Sequence, residues 1–437
     1  AAKDEVIDEL NARYAALTLG STVCVLDDSR PDGFNFYTFE NFRRKLIHRT
    51  LPAFQQKNGK WKSGEPIADF WLKHPDARRF DQMVYCPPPL VAGPKDYNGW
   101  KGFAVQPREG DWSLIYRHIS ECLCSHEEEP FAALLNWTAA LCQFPARVPK
   151  SALVLMGPQG IGKGFFAEDL LGRLFDAHHF IKIDSGEQFY GRFHGELLSG
   201  RCLVFLDEAT WGGDKRDAGA LKSRVTSETM VVERKGIAKV TEVSMIHLII
   251  ASNEDWPIGL DKDDRRFIAL KASGLHSNNA EYFNPLYAQL NSGGREAFLH
   301  AMLQWEIDWD LLRKPPRTKA KDELKQRSLP PLMEWLFDRL YTGSFGQMGW
   351  PNEIAIASLY QNYCDWANSR KVRITSLVDF GRKLSWLFDG KTYMKRSGKE
   401  SHRTGKLWPL PKAREVWDTI MKSETEWDEP DEKSLQF

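Results

Sequence analysis

The sequence predicts an α/β protein built on a parallel sheet flanked by helices across residues 146–272. Three observations carry this. Residues 151–156, 202–206 and 246–250 are short, nearly all-apolar runs, the pattern of strands buried on both faces. Helical periodicity alternates with these runs, as a layered α/β core requires. The first run leads directly into a glycine-rich turn and then a helical stretch from Lys163 to about Phe175.

Along the chain, residues 1–110 read as an accessory α+β region. Residues 4–17 space their apolar side chains as a helix does, and 22–26 and 34–39 read as strands around an Asp32-Gly33 turn. Pro and Gly crowd residues 85–110, which reads as loop. Residues 111–145 form a helical lead-in broken near 127–130, and the α/β unit occupies 146–312. A Pro- and Lys/Arg-rich stretch at 313–329 reads as a linker. Residues 330–415 form a small terminal unit, with helices at 330–341, 353–369 and 375–388 and a hairpin-like stretch at 391–408. Residues 416–437 read as an acidic tail.

A chain of 437 residues has room for about two to four such units. Lys+Arg and Asp+Glu are both 59, so any nucleic-acid surface must be a local patch and not a global basic field. No apolar run approaches the roughly 18 residues that span a bilayer, and the N-terminus has no signal-peptide pattern, so no membrane partner is expected. Seven cysteines are sparse and odd in number, which fits reduced thiols and a cytoplasmic location. Sixteen tryptophans are read chiefly as core anchors. His118, Cys122, Cys124 and His126 match no zinc spacing.

Gly157, Pro158, Gln159, Gly160, Ile161, Gly162, Lys163 and Gly164 fit the pattern G-x-x-x-x-G-K, with Phe165 next in the helix. Glycines let successive N–H groups turn inward around a phosphate, and the helix N-terminus behind adds positive dipole. Lys163 would reach the β- and γ-phosphates of ATP. Gly164 stands where a hydroxyl usually meets Mg²⁺, so the ion would rest on phosphates, water and a distant acid. The plainer alternative is a strand–helix turn with an ordinary lysine.

The second apolar run ends in Asp207-Glu208. At a sheet's carboxyl edge, Asp207 would hold Mg²⁺ and Glu208 would polarise an attacking water. Alone, the pair is equally compatible with a strand leaving for solvent. The third run ends in Asn253, an amide able to sense the γ-phosphate or simply to cap a turn. Asp263-Asp264-Arg265-Arg266 follows, and either arginine, Arg266 slightly favoured, could neutralise charge on a neighbouring subunit's nucleotide. Surface pairing with the adjacent acids is the alternative.

This order of motifs resembles the superfamily 3 helicases of viruses, phages and plasmids. More narrowly, Tyr97-Asn98-Gly99-Trp100, Trp137 with Gln143-Phe144-Pro145, and the Lys-Gly form of the loop resemble the helicase portion of phage primase-polymerases and poxvirus-type primase-helicases. The resemblance covers roughly residues 70–270. It implies an AAA+ ATPase using ATP and Mg²⁺, assembled as a ring, commonly a hexamer, and moving on single-stranded or forked DNA during replication of a phage or other mobile element. It implies that a hairpin within 221–240 carries Arg234, Lys235 and Lys239 to the strand's phosphates, which gives affinity without sequence choice. The basic stretch containing Lys391, Lys395, Arg396, Lys399, Arg403 and Lys406, after a helix pair, reads as the wing of a winged-helix-like unit or as a solvated loop. No well-spaced acidic triad precedes residue 110, and the missing initiator Met suggests a primase-polymerase domain once lay before Ala1. Two other function classes stand beside this one: an ATP-gated DNA-binding loader or scaffold without unwinding, and a nucleoside monophosphate kinase.

Overall fold

The structure is a computed structural model, and it describes residues 2–29, 34–55, 61–62, 64–185, 188–189, 194–208, 215–234, 239–254, 257–261, 264–346, 348–397, 400–423 and 425–427. The chain divides into two compact units. One holds Ala1–Pro257 and Arg265–Thr318; the other holds Ile258–Asp264 and Lys319–Phe437.

The first unit is built on five strands: β1 (Ala152–Met156), β2 (Phe180–Ile183), β3 (Leu203–Leu206), β4 (His247–Ser252) and β5 (Phe267–Lys271). They form one sheet in the order β2-β3-β4-β1-β5, every pair parallel. Leu153, Leu155, Phe205, Ile249, Ala251 and Ile268 share a core with Trp137 and Leu141 of helix Glu128–Gln143 and with Phe166 and Leu170 behind the glycine-rich turn. The alternate residues Val154, Val204, Leu248, Ile250, Phe267 and Ala269 are equally buried on the opposite face. A parallel sheet covered on both sides accounts for the apolar runs read from the sequence. Because every strand runs the same way, β1, β3 and β4 all end at one edge, where the turn, Asp207-Glu208 and Asn253 begin.

Ahead of this core lies a four-stranded sheet ordered Asn35–Tyr37, Thr22–Asp27, Tyr14–Leu19, Arg79–Phe80. The expected helix over 4–17 ends at Asn11, and Tyr14 begins a strand paired antiparallel with Thr22–Asp27. Tyr14 and Ala16 enter one apolar cluster and Ala15 and Leu17 another, so period-two burial overrides local helix propensity. Asp27 ends this pairing fully buried, held by Arg13 at 3.0 Å, Lys45 at 3.0 Å and the Ser29 hydroxyl at 2.6 Å.

In the second unit, helices Pro331–Thr342, Ile356–Ser369, Leu377–Lys383 and Leu410–Met421 pack around Trp335, Tyr363, Phe380 and Trp417. A three-stranded sheet runs in the order Glu353–Ala355, Glu400–Lys406, Tyr393–Ser397. Two boundaries are corrected. Lys319–Arg327, read as linker, is a helix with Ala320 and Leu324 buried four residues apart. Residues 416–421, assigned to the acidic tail, complete a helix that buries Trp417. Among the described residues, no helix is long and apolar enough to cross a membrane.

Candidate active site

The turn after β1 is shaped by three glycines in conformations that other residues resist: Gly157 at φ +141°, Gly160 at +76° and Gly162 at +94°. Space closes around them as well. A Cβ on Gly160 would meet the Asn278 side-chain oxygen at 2.0 Å, and one on Gly162 would meet the buried His118 ring at 2.3 Å. Burial pushes the His118 pKa down to about 4, so a neutral imidazole supports the turn at pH 7. The chain after β5 clamps the turn from outside: the Asn278 N–H donates to the Gly160 carbonyl at 3.0 Å and the Ser277 hydroxyl to the Gln159 carbonyl at 2.8 Å.

Lys163 is buried at the start of the following helix. Its ammonium donates to the carbonyls of Gly157 and Pro158, at 2.6 and 2.8 Å, and to Oδ1 of Asn253 at 2.9 Å. Burial pulls its pKa down from the ordinary lysine value, while the charges of Asp207 and Glu208 oppose that shift. Asn253 also donates toward Glu208 Oε1 at 3.4 Å. Glu208 itself stands at φ +51°, a left-handed conformation unusual for a non-glycine residue. Three neighbouring parallel strands thus deliver Lys163, Asp207, Glu208 and Asn253 to one cleft of about 360 Å³. Gln159 to Phe165, Asn278, Phe283 and Tyr287 line the rest.

The cleft has features the sequence did not disclose. Asn278, Phe283 and Tyr287 come from the segment after β5, with no motif of their own. Lys182 on β2 places its ammonium 2.8 Å from Asp207 Oδ2 and 3.1 Å from Glu168 Oε2. The glycine cradle fits a phosphate chain. For a magnesium ion arriving with it, the cleft offers Asp207 and no hydroxyl at position 164. One carboxylate with phosphates and water is a known way of holding Mg²⁺, although here the ammonium of Lys182 is already on that carboxylate.

Arg265 is exposed and Arg266 half-buried, both immediately before β5. The Arg266 carbonyl accepts from the Ala152 N–H at 2.8 Å, and Phe267 pairs with Ala152. The arginines therefore lie at the N-terminal edge of the sheet, opposite the cleft.

The hairpin pairs Thr229–Val232 with Val240–Val243. Lys235, at its expected tip, lies outside the described residues. Lys239 is exposed and paired with Glu233 at 2.9 Å. Arg234 departs from expectation. It is buried, ion-paired with Glu242 at 2.9 Å, bonded to the Ser199 hydroxyl at 2.7 Å and set over the Phe36 ring. A guanidinium so enclosed braces the hairpin and is not presented to a phosphate backbone. In the second unit, Lys395 and Arg396 are exposed on strand Tyr393–Ser397, with Lys395 paired to Glu353 at 2.6 Å.

Residues 155–266, from the end of β1 to the arginine pair, match a family of unknown function (DUF5906). The chain is 29% identical over 233 residues to the DNA primase-polymerase of Nitratiruptor phage NrS-1, a match covering 52% of this chain and 32% of that protein. The chain thus spans about a third of that relative's length. An apo structure of the NrS-1 C-terminal region superposes with a TM-score of 0.65, covering 93% of this chain and 99% of that one at 16% identity. Its A form gives a TM-score of 0.63 at 15% identity. The chain resembles the C-terminal region of this phage primase-polymerase in fold over nearly its whole length.

Proposed function

We propose that the chain is an ATP-hydrolysing, ring-forming DNA helicase of the superfamily 3, AAA+ type, acting in replication of a phage or related mobile element in its host's cytoplasm. The observation that carries this reading is the convergence of Lys163, Asp207, Glu208 and Asn253 from three adjacent parallel strands on one glycine-shaped cleft. Turn N–H groups and Lys163 would bind the nucleotide's phosphates. Glu208 would orient and polarise the attacking water, and Asn253 would link that water to the lysine. Asp207 would hold Mg²⁺, which when bound offsets phosphate charge. Arg265 or Arg266, on the far edge of the sheet, would complete the cleft of a neighbouring copy in a ring, commonly a hexamer. Single-stranded or forked DNA is the partner, with Lys239 and Lys235 in the channel and Lys395 and Arg396 on a winged-helix-like unit. The likeness to a phage primase-polymerase supports the setting in replication and a functional link to priming.

The missing hydroxyl at Gly164 and the Lys182–Asp207 ion pair favour one other reading, an ATP-gated loader that binds DNA without unwinding it. Steady-state ATP hydrolysis with and without single-stranded DNA, on the wild type and Glu208→Gln, separates them. DNA-stimulated turnover that disappears in Glu208→Gln while ATP stays bound supports the motor. ATP binding without turnover in the wild type rejects it for the loader.

A further inference from the structure

Beside the cleft, on the carboxylate of Asp207, stands a cation that the motifs do not provide for. Lys182 sits on the edge strand β2, level with Phe205 of β3. Its ammonium bridges Asp207 on the tip of β3 and Glu168, five residues beyond Lys163 on the helix behind the glycine-rich turn. Asp184 stands 4.0 Å from the same ammonium. Without Lys182, the two carboxylates that line the cleft, Asp207 and Glu208, would stand against its one lining cation, Lys163. A polyphosphate would meet net repulsion there, which a divalent ion normally removes. The usual hydroxyl anchor for that ion is absent at Gly164, where a Cβ would meet nothing within 4 Å, so sterics do not explain the glycine.

We propose that Lys182 is a resident counter-cation, which neutralises and positions Asp207 so that the cleft binds nucleotide largely without Mg²⁺. It rests on the nucleotide reading of the cleft. The charge works at short range: an ammonium under 3 Å from a carboxylate removes most of that carboxylate's repulsion of an anion a few ångströms further on. It also ties β3 to the helix behind the turn, holding Asp207 at one place whether or not a metal ion is present. Lys182 acts through Asp207 and is therefore a positioning residue.

The test is equilibrium titration of the full chain with a fluorescent ATP analogue, once in magnesium buffer and once in EDTA. The wild type is expected to bind with affinities within about tenfold of each other in the two buffers. Lys182→Met should weaken binding in EDTA by about tenfold or more, with part of the loss recovered by magnesium, as expected when one close counter-charge is removed. Lys182→Arg, which keeps the charge, should stay close to wild type. A wild-type chain that loses more than about tenfold in EDTA overturns the proposal without any variant. So does Lys182→Met with unchanged or tighter binding in EDTA, which would make the ammonium a bystander or a competitor of the metal. Absence of binding by the wild type in both buffers defeats the nucleotide reading instead.

Discussion

Two glycines two residues apart in the same motif should respond to alanine with opposite signs. Gly162→Ala would place a methyl group 2.3 Å from Cε1 and 2.4 Å from Nε2 of His118, and 3.1 Å from Phe283, at φ +94°. The ring cannot swing away: it is fully buried, packed edge-on against Phe165 and Phe283 and bonded to the Tyr282 hydroxyl at 3.1 Å. The backbone conformation costs about 1–2 kcal/mol for a non-glycine residue, and overpacking a closed site costs about 1–3 kcal/mol more. The sum is about 2–5 kcal/mol, or relief by displacement of the turn and loss of the phosphate cradle. Gly164 is the opposite case. It is helical at φ −64° and ψ −39°, with open space where a Cβ would stand. Gly164→Ala should stabilise by about 0.5–1 kcal/mol through helix propensity alone. Calorimetric melting of both variants, paired with nucleotide titration, reads the contrast. A shift of several degrees downward is expected for Gly162→Ala and a small upward shift for Gly164→Ala. If Gly162→Ala melts with the wild type and keeps its nucleotide affinity, the account of the cradle is wrong.

Further outcomes follow from other buried groups. Burial by itself would raise the Asp27 pKa, but hydrogen bonds from Arg13, Ser29 and Lys45 outweigh it and hold the carboxyl below its usual range. Its stabilisation is therefore full above about pH 4, the unfolded value, and drains as pH falls toward the folded one. Melts from pH 7 to pH 3 should lose less stability on acidification in Asp27→Asn than in the wild type, and identical acid limbs would remove Asp27 from the explanation. Glu208→Gly should relieve the left-handed strain, raising stability by about 0.5–1 kcal/mol while abolishing ATP turnover; a destabilised variant would contradict the strain. Arg234→Ala should destabilise by about 3 kcal/mol, as breaking a buried pair does, whereas Lys239→Ala should cost less than about 0.5 kcal/mol. Equal costs in denaturation experiments would undo the distinction between brace and surface charge.

What could be read from the sequence follows from how much each residue's neighbours along the chain reveal. β1, β3 and β4 announce themselves because strands buried on both faces must be apolar throughout. The loop between Gly157 and Gly164 is legible because its constraint is conformational and local. β2 escapes notice: Phe180–Ile183 carries Lys182 at its centre, and an edge strand tolerates a charge. The burial of Arg234 is not legible because its partners Glu242, Ser199 and Phe36 come from separate stretches of the chain. The Pro315-Pro316 step and the density of Lys and Arg suggested a linker through 327, yet Ala320 and Leu324 suffice to seat a helix. Asn278, Phe283 and Tyr287 belong to the cleft only because β5 returns beside β1.

The parallel sheet has one more consequence. Its strands rise about 3.3 Å per residue, so the five residues of β5 separate Arg265 and Arg266 from the cleft by roughly 16 Å within one chain. Root and tip of the sheet cannot serve the same reaction in a single copy. A chain crippled at Lys163 still owns sound arginines, and a chain stripped of both arginines still owns a sound cleft. In the proposed ring, a mixture of two such inactive preparations would contain junctions in which intact halves meet. Turnover reappearing in the mixture, and in neither preparation alone, would be the signature of a catalytic unit that belongs to the seam between molecules.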